Sequence, residues 1–571
     1  MEHDPQFALP AHGPIAAGTV EAAAMFDARG RGGGKTARWI CALALASICS
    51  EAGCSRRAAN AKAAEELLPP RPVAAVITAP LASLAQHLSE LFARAARIPG
   101  GEQLEANRRG TAAQLGFDPL TRDGLTSAGL DPDRGAAVAV TQGNPRPGWV
   151  AALPVANQDA FAKTLDRILR ERAGFAERSE ENRSGTRVTI YSRPGVIEKI
   201  AHGFVRGYAV VARGPDPAAE VASAAARKAE ESLSSGDRLR GAREDIGPQD
   251  LTVLGAEGTL GFRGTAARTL AGTLPGETTI GLTGTSAGVS AKISYRGTGD
   301  EVAKIRAALP GGAGGLAALL PADAPVRMRL GLQPAEVLRQ ARRIPEIAQA
   351  MDSLAAGGVD PLRDIAPALA PGAALAIGLS PSAKLGALVD YGIFDWRTRS
   401  PFESLQLLAL APVADETRLS RALQSLAAAL PKAGAKVQRT SDGWQVRYAG
   451  GEGPRFGLAT VAGQKVAWLA GGYGARELSG ILAAARDPSL PPVLAQDPGA
   501  AVRVDLAALA ARVRSLPDAT YGSGPQAYVA RSVVGQIIEP LSALRATAAA
   551  IPTDRGLRAD IDVAIAPAGQ R

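Results

Sequence analysis

The sequence predicts an α+β fold with two tandem homologous domains, each a largely antiparallel β-sheet packed with helices. Two observations support this prediction. A motif of the form Gly-x-Asp-Pro-Leu occurs at residues 116–120 and again at residues 358–362. Around it, strand-like segments outnumber helical ones and often follow each other as hairpins. That pattern favours antiparallel pairing over a doubly wound parallel sheet.

Other segments match in the same order in both copies. The five matching pairs are residues 67–73 and 319–326, 116–120 and 358–362, 135–140 and 372–377, 153–161 and 411–419, and 288–293 and 556–561. The spacing between them drifts, as insertions in surface loops allow. The matches place a first repeat at residues 67–310 and a second repeat at residues 319–567, and we expect the two to superpose.

Periodicity predicts the elements of the first repeat in order. Residues 73–78 form an apolar strand, and residues 81–96 have helical spacing. Residues 136–141 and 149–155 form two strands joined by a Gly/Pro/Asn loop. Asn157 then caps a helix, because its side chain can accept a hydrogen bond from a free backbone amide.

The Asp-Pro pairs of the repeated motif predict two helix starts at equivalent positions. Asp118 and Asp360 would each act as the N-cap, with proline at the first helical position. Later in the first repeat, residues 218–233 are expected to form one helix.

Residues 1–53 have the features of an export segment. Translation can start at Met1 or Met25, and a positive region precedes an apolar run at residues 39–49. That run suits a signal peptide and is shorter than the roughly 20 residues needed to span a bilayer. Ala-Gly-Cys then follows at residues 52–54, and a polar tether over residues 54–66 leads to the first repeat.

This Ala-Gly-Cys resembles the lipobox of bacterial lipoproteins, although Glu51 stands where that family usually has leucine. The resemblance implies that Cys54 is lipidated and that the protein is anchored to a membrane of the cell envelope. By the sorting rule of that family, Ser55 implies the outer membrane, with the protein facing the periplasm.

Two alternatives to lipidation remain open. A secretory peptidase could cut after Ala-Asn-Ala at residues 59–61, which would release a soluble protein, or the apolar run could stay uncleaved as an anchor. The chain has three cysteines, and none follows Cys54. The repeats therefore contain neither disulfides nor thiolate metal sites.

The opening Leu-Leu-Pro-Ala-Asp-Ala of the second repeat, at residues 319–324, resembles that of uncharacterised secreted bacterial proteins with tandem α+β repeats. The shared motifs are structural, and the resemblance implies no activity.

Composition argues against nucleic acid as a partner. The net charge is +9, but the basic residues are dispersed and aromatic residues make up only 4% of the chain. Nucleic-acid-binding proteins usually add a clustered basic face or aromatic stacking platforms. The glycine-rich residues 30–36 lack the first glycine of a phosphate-binding loop, so we expect no nucleotide or other cofactor.

No convincing catalytic or metal-binding set is present. Residues 284–288 match the Gly-x-Ser-x-Gly motif of serine hydrolases, with Ser286 at its centre. The flanking segments alternate like strands, which predicts a hairpin turn with glycines for positive φ, whereas the hydrolase motif joins a strand to a helix. His87 and His202 follow the export segment without metal-ligand spacing, and we expect both at the surface.

The sequence thus indicates an envelope lipoprotein with a binding or structural role and without catalysis. An envelope protein or an apolar ligand would occupy a groove between the two domains. The alternatives are a secreted hydrolase and a periplasmic carrier of an apolar ligand.

Replacing the lipobox cysteine tests the export prediction. Cys54→Ser should abolish labelling by a radioactive fatty acid and release the protein from the membrane fraction, because the acceptor thiol is gone. A mature N-terminus at Lys62 without lipid, found by mass spectrometry of the unmodified protein, would instead establish the secretory alternative.

Overall fold

In the part of the chain that the structure describes, twenty strands pair edge to edge in one antiparallel sheet. The computed structural model describes residues 63–99, 101–142, 147–255, 276–343, 345–381, 383, 401–448, 451–474, 476–483, 492–495, 499–522 and 524–566. The prediction of an α+β fold with a largely antiparallel sheet is confirmed.

The first ten strands occupy one half of the sheet. They are β1 (Ala74–Thr78), β2 (Ala137–Thr141), β3 (Gly148–Pro154), β4 (Glu177–Arg183), β5 (Thr186–Arg193), β6 (Val196–Val205), β7 (Tyr208–Gly214), β8 (Leu251–Gly255), β9 (Gly276–Gly284) and β10 (Gly288–Gly297). From the outer edge inward, they pair in the order β4-β5-β6-β7-β3-β2-β1-β8-β9-β10.

The last ten strands follow the same order in the other half. They are β11 (Val326–Leu330), β12 (Ala373–Leu379), β13 (Leu405–Pro412), β14 (Lys436–Arg439), β15 (Trp444–Tyr448), β16 (Gly451–Val461), β17 (Gln464–Gly471), β18 (Ala500–Asp505), β19 (Leu544–Thr553) and β20 (Gly556–Ile565). Their order from the outer edge is β14-β15-β16-β17-β13-β12-β11-β18-β19-β20.

The two halves meet where β10 pairs with β20, a junction that we call the seam. The antiparallel register runs from Gly288 opposite Ala564 to Arg296 opposite Gly556. The seam makes the two ten-stranded halves one continuous sheet.

Helices cover both faces of this sheet. In the first half they are α1 (Leu81–Ala95), α2 (Glu102–Leu115), α3 (Arg122–Ser127), α4 (Gln158–Arg167), α5 (Pro217–Ala226), α6 (Asp237–Ile246) and α7 (Gly299–Ala308). Those that follow are α8 (Gly314–Ala317), α9 (Pro334–Ala341), α10 (Pro345–Ala356), α11 (Glu416–Ala429), α12 (Leu478–Ala483), α13 (Pro492–Ala495), α14 (Leu506–Arg514) and α15 (Pro525–Leu541).

Successive residues of each strand pack into separate hydrophobic cores on the two faces of the sheet. On β7, Val210 and Ala212 pack under α5 and α6, whereas Ala209 and Val211 pack under α1 and α4. In the second half, α8, α12 and α13 cover the face that carries α5 and α6 in the first half. The opposite face is covered by α11, α14 and α15. This alternation follows from the two-residue period of a strand.

The predicted caps are confirmed at two positions and wrong at one. Asn157 accepts the N–H of Ala160 at 3.0 Å, and Asp360 accepts that of Leu362 at 2.9 Å at the start of a short helix. Asp118 accepts the N–H of Leu120 at 2.9 Å but begins only a turn. The helix α3 starts four residues later, where the Thr121 side chain is the cap.

The helix predicted over residues 218–233 is longer than the helix in the structure. It ends at Ala226, because Arg227 takes an extended backbone conformation (φ −66°, ψ 130°). The guanidinium of Arg227 donates to the carbonyl of Leu67, and the N–H of Leu233 donates to that of Leu68 at 3.1 Å. These bonds tie down residues 64–68, all buried except Glu66, so the end of the segment assigned to the tether belongs to the folded body.

Two glycines at the seam lie close to the backbone of the opposite strand, and replacing them tests whether this close approach is needed. A Cβ atom on Gly288 would lie 2.0 Å from the carbonyl oxygen of Val563, and one on Gly556 would lie 2.0 Å from that of Tyr295. Gly288→Ala and Gly556→Ala should each lower the free energy of unfolding by roughly 1–3 kcal/mol, because the strands must move apart. Urea denaturation measures the loss.

Gly110→Ala is the matched control, since this glycine lies in α2 with no atom within 4 Å of its Cβ position. That change should be neutral or slightly stabilising. Equal unfolding midpoints for all three variants would contradict the packing argument.

Candidate functional site

A cleft of about 820 Å³ opens between α14, α15, the turn that joins them and the loop after α1. Pro99 lines it from the first half of the chain, and the other lining residues belong to the second half. Its apolar lining consists of Pro99, Val513, Tyr521, Ile538 and Pro540. The volume lies within the range of about 300–1,000 Å³ that is typical of ligand sites.

The helices on either side of the cleft are fixed by caps and apolar packing. At the end of β18, the carboxylate of Asp505 accepts the N–H of Ala508 at 3.0 Å and starts α14. The side of α15 that faces α14 carries Ala527, Ala530, Val534 and Ile538, which pack on a buried cluster.

Tyr521 supports the base of the cleft. Its ring is buried, and its hydroxyl donates to the carbonyl of Val513 at 3.1 Å. Burial raises the pKa of this phenol above its ordinary value, so it remains a neutral donor.

The charged residues of the cleft are paired with each other or with neighbours. Arg514 contacts Glu539 at 3.2 Å, and Arg531 contacts Asp518. The guanidinium of Arg531 also lies 6.0 Å from the centre of the Tyr521 ring. The base is thus apolar, and the charges that border it are largely compensated.

Gly535 leaves the middle of the cleft open. It lies inside α15, and a Cβ atom built on it would meet no atom within 4 Å. Glycine in a helix interior costs about 1 kcal/mol relative to alanine. Glycine at this position therefore makes α15 less stable than alanine would, and it leaves space in the cleft.

A second cavity, between α4 and the sheet, is much smaller. Its volume is about 50 Å³, and it is lined by apolar side chains that include Phe117, Trp149 and Phe161. A cavity of this size holds at most one or two waters and is too small for a carried lipid.

The Gly-x-Ser-x-Gly segment forms the predicted hairpin, but its glycines serve another purpose. Residues 285–288 close the turn between β9 and β10, with reciprocal backbone hydrogen bonds between Thr285 and Gly288. Neither Gly284 nor Gly288 has a positive φ, so that part of the prediction is wrong. A Cβ atom on Gly284 would lie 2.4 Å from the Cβ of His87, so close packing requires this glycine.

His87 forms a polar contact beside this hairpin that sequence reasoning missed. Its Nδ1 lies 2.7 Å from Oδ2 of the buried Asp250, which also accepts the N–H of Gly284 at 2.8 Å. Within the described residues, Ser286 makes no hydrogen bond with His87. The pair therefore fastens α1 to the hairpin.

His202 contradicts its predicted surface position. It lies inside β6, only 3% exposed, with its ring centre 5.8 Å from that of Tyr191 and 5.7 Å from that of Phe204. Burial lowers the pKa of His202 to about 4, so the ring is neutral at neutral pH. Leu458 of β16 precedes its hairpin turn by the same number of residues, which indicates a core position.

The lipidation candidate Cys54 lies outside the described residues. Within the described ranges, no group of three or more His, Cys, Asp or Glu side chains could hold a metal ion. No helix among the same residues has the length and apolar character needed to cross a bilayer.

The chain matches no protein-family model, no curated protein and no solved structure.

The groove predicted between the two domains stays a prediction, and sequence reasoning named none of the residues that line this cleft. A signal was present in residues 528–538, where apolar side chains recur on two sides of the helix. A surface helix normally has one apolar stripe. Apolar residues on both sides indicate a second contact surface.

The buried His202 predicts a distinct pH dependence of stability. The unfolded chain takes up a proton near pH 6.5, whereas the folded protein does so only near pH 4. Stability should therefore be complete above pH 6.5 and fall by about 3 kcal/mol as the pH drops from 6.5 to 4. His202→Leu, which copies Leu458, should remove this component.

Chemical denaturation of both proteins at several pH values between 7.5 and 4 measures the difference. Carboxylates titrate equally in the two chains, so the difference isolates His202. Parallel stability curves would show that the imidazole is not buried as a neutral group.

Proposed function

We propose that the protein is an envelope lipoprotein that binds an apolar ligand, or an apolar segment of an envelope protein, in the cleft beside α15. The observation that supports this proposal is the cleft itself, with its ligand-sized volume, its apolar base and its open position at Gly535. The proposed anchor is a lipid on Cys54 in the outer membrane, with the body in the periplasm. Its support is the sequence motif alone.

The paired charges around the cleft favour an uncharged ligand. Arg514 and Arg531 each have a carboxylate partner within the chain, so an anionic ligand would have to displace it. An uncharged apolar group needs no such exchange, and its burial is favoured by about 25 cal/mol per Å² of apolar surface.

We further propose that the two halves are tandem homologous domains. Their common strand order supports this, and so do their matching turns. Arg206-Gly207 between β6 and β7 has φ values of 50° and 81°, and Ala462-Gly463 between β16 and β17 has 50° and 79°. A non-glycine residue at positive φ is uncommon, so its occurrence at the same turn of both halves is a specific similarity.

The hydrolase alternative draws on one observation, the His87–Asp250 pair next to the hairpin of Ser286. Activity on esters or peptides that is lost in Ser286→Ala would establish it and would replace the binding proposal. The strand–turn–strand geometry favours binding, because the hydrolase motif needs a helix after the serine.

Filling the cleft tests the binding proposal. Gly535→Phe should weaken binding of the uncharged fluorophore N-phenyl-1-naphthylamine at least tenfold, because the new ring occupies the open position. Gly110→Phe, on an exposed helix away from the cleft, should bind like the unmodified protein. Fluorescence titration measures both affinities, and equal affinities would exclude this cleft as the site.

A further inference from the structure

The ten central strands of the sheet are packed differently on their two faces. Their order is β2-β1-β8-β9-β10-β20-β19-β18-β11-β12. On one face, residues such as Ala139, Leu254 and Ala374 are fully buried. On the other face, which carries α1 and α4 in the first half, large apolar side chains are only half-buried. We call this second surface the open face, and its large apolar residues include Val76, Val138, Val253, Ile280, Leu282, Val289, Ile293, Ile561, Val563, Val502, Met328, Leu375 and Ile377.

The strand register makes the open face continuous across both halves. Val253 lies opposite Ile280, and Ile280 lies opposite Ile293. Beyond the seam, Val502 lies opposite Met328. Side chains that lie directly opposite each other on paired strands point to the same face of a sheet. The apolar residues of the ten strands therefore form one surface.

The open face belongs to none of the hydrophobic cores of the described residues. Its large apolar side chains are neither members of the buried clusters nor packed against them. Towards the sheet edges the same face is closed, because Leu153 and Val211 pack in the cluster of α1 and α4, and Leu379 packs in that of α14. In the described part of the chain, helices thus cover the outer strands and leave the centre accessible.

The open face is uncharged along all ten strands. Within them, no Asp, Glu, Lys, Arg or His occupies a position on this face. The opposite face of the same strands carries charged residues that include Arg329, Arg503 and Asp560. Burial of apolar surface is therefore the interaction that this face offers, and it favours an aliphatic occupant.

Helices at both ends of the open face limit the shape of the occupant. At one end, the Tyr295 hydroxyl donates to Glu301 of α7 at 3.2 Å. At the other end, His87 of α1 packs against Gly284. An α-helix with its side chains is about 10 Å thick, so α1 and α7 rise well above the sheet. They keep a flat folded surface, such as that of a second copy, away from the strands but admit a thin chain.

We propose that the open face binds the acyl chains of a phospholipid. Ten strands about 4.8 Å apart span about 43 Å, which is wide enough for several chains side by side. A bilayer core is about 30 Å thick, so one chain covers about 15 Å, close to the length of a five-residue strand. This width suits a lipid with two chains. The open face is separate from the cleft beside α15, and the inference does not rest on that cleft.

Quenching of a fluorescent label by brominated acyl chains tests this proposal. All three native cysteines lie at or before Cys54, so their replacement by serine gives a thiol-free chain. In that chain, a bimane label on Ile561→Cys should lose more than half of its fluorescence when vesicles of phosphatidylcholine with brominated chains are added to lipid-free protein. The matched control is Ile197→Cys, at an 86% exposed site on β6, whose label should keep its intensity.

A third label, in the cleft, distinguishes this inference from the proposed function. Gln536→Cys places it on α15, where Gln536 lines the cleft. Quenching at Gln536→Cys without quenching at Ile561→Cys would overturn the inference and leave the proposed function standing. Equal quenching at Ile561→Cys and Ile197→Cys, or none at either, would also overturn it. Quenching at Ile561→Cys by a brominated free fatty acid alone would overturn the choice of a two-chain lipid.

Stability without ligand provides a second readout. Ala548 is half-buried at the centre of the open face, whereas Ala501 on the neighbouring strand is buried in the core of the opposite face. Ala548→Phe should leave the urea midpoint unchanged, because its ring enters open space. Ala501→Phe should lower the midpoint, because it overpacks a closed core. Equal losses in both variants would show that the open face is already filled and would overturn the proposal.

Discussion

The rest of the structure depends on the hydrogen-bonded pairing of β10 with β20. Without it, each half would end in a strand with free backbone groups and an apolar face. At the seam that face carries Val289 and Ile293 opposite Val563 and Ala559. Exposed apolar edges invite association with other chains, so pairing them within one molecule removes that hazard.

The two outer edges of the sheet are protected in another way. The side chains of β4 are almost all exposed and include Glu177, Glu180 and Glu181. At the other edge, β14 is only four residues long, and Arg439 stacks over Trp444 with its guanidinium 4.3 Å from the ring centre. Short or charged edge strands resist further strand addition. Both edge strands of the described sheet are therefore poor templates for a further strand.

Local patterns in the sequence predicted local structure well. The apolar run at residues 73–78 and the helical spacing of residues 81–96 correspond to β1 and α1 within a residue or two at each end. The Asn157 cap was also predictable, because it needs only a neighbouring backbone amide. Asp118 shows the limit of such reasoning, since its carboxylate also pairs with Arg108 at 2.7 Å and the helix starts at Arg122, capped by Thr121.

Properties set by distant contacts could not be predicted. His202 is buried because β5 and β6 bring Tyr191 beside it, a contact that its sequence neighbours do not show. Gly284 is required by His87, which lies almost two hundred residues earlier. The cleft likewise joins Pro99 to α15, so no single stretch of sequence contains it.

The two halves differ most in one connection between strands. The connection from β8 to β9 spans residues 256–275, whereas the matching one from β18 to β19 spans residues 506–543 and is nearly twice as long. That longer connection contains α14 and α15, and hence most of the cleft. A repeated sheet tolerates added length in a connection, because strand pairing is unaffected. The common strand order therefore sets the architecture of both halves, and the extra length in the second half forms the cleft on which the binding proposal rests.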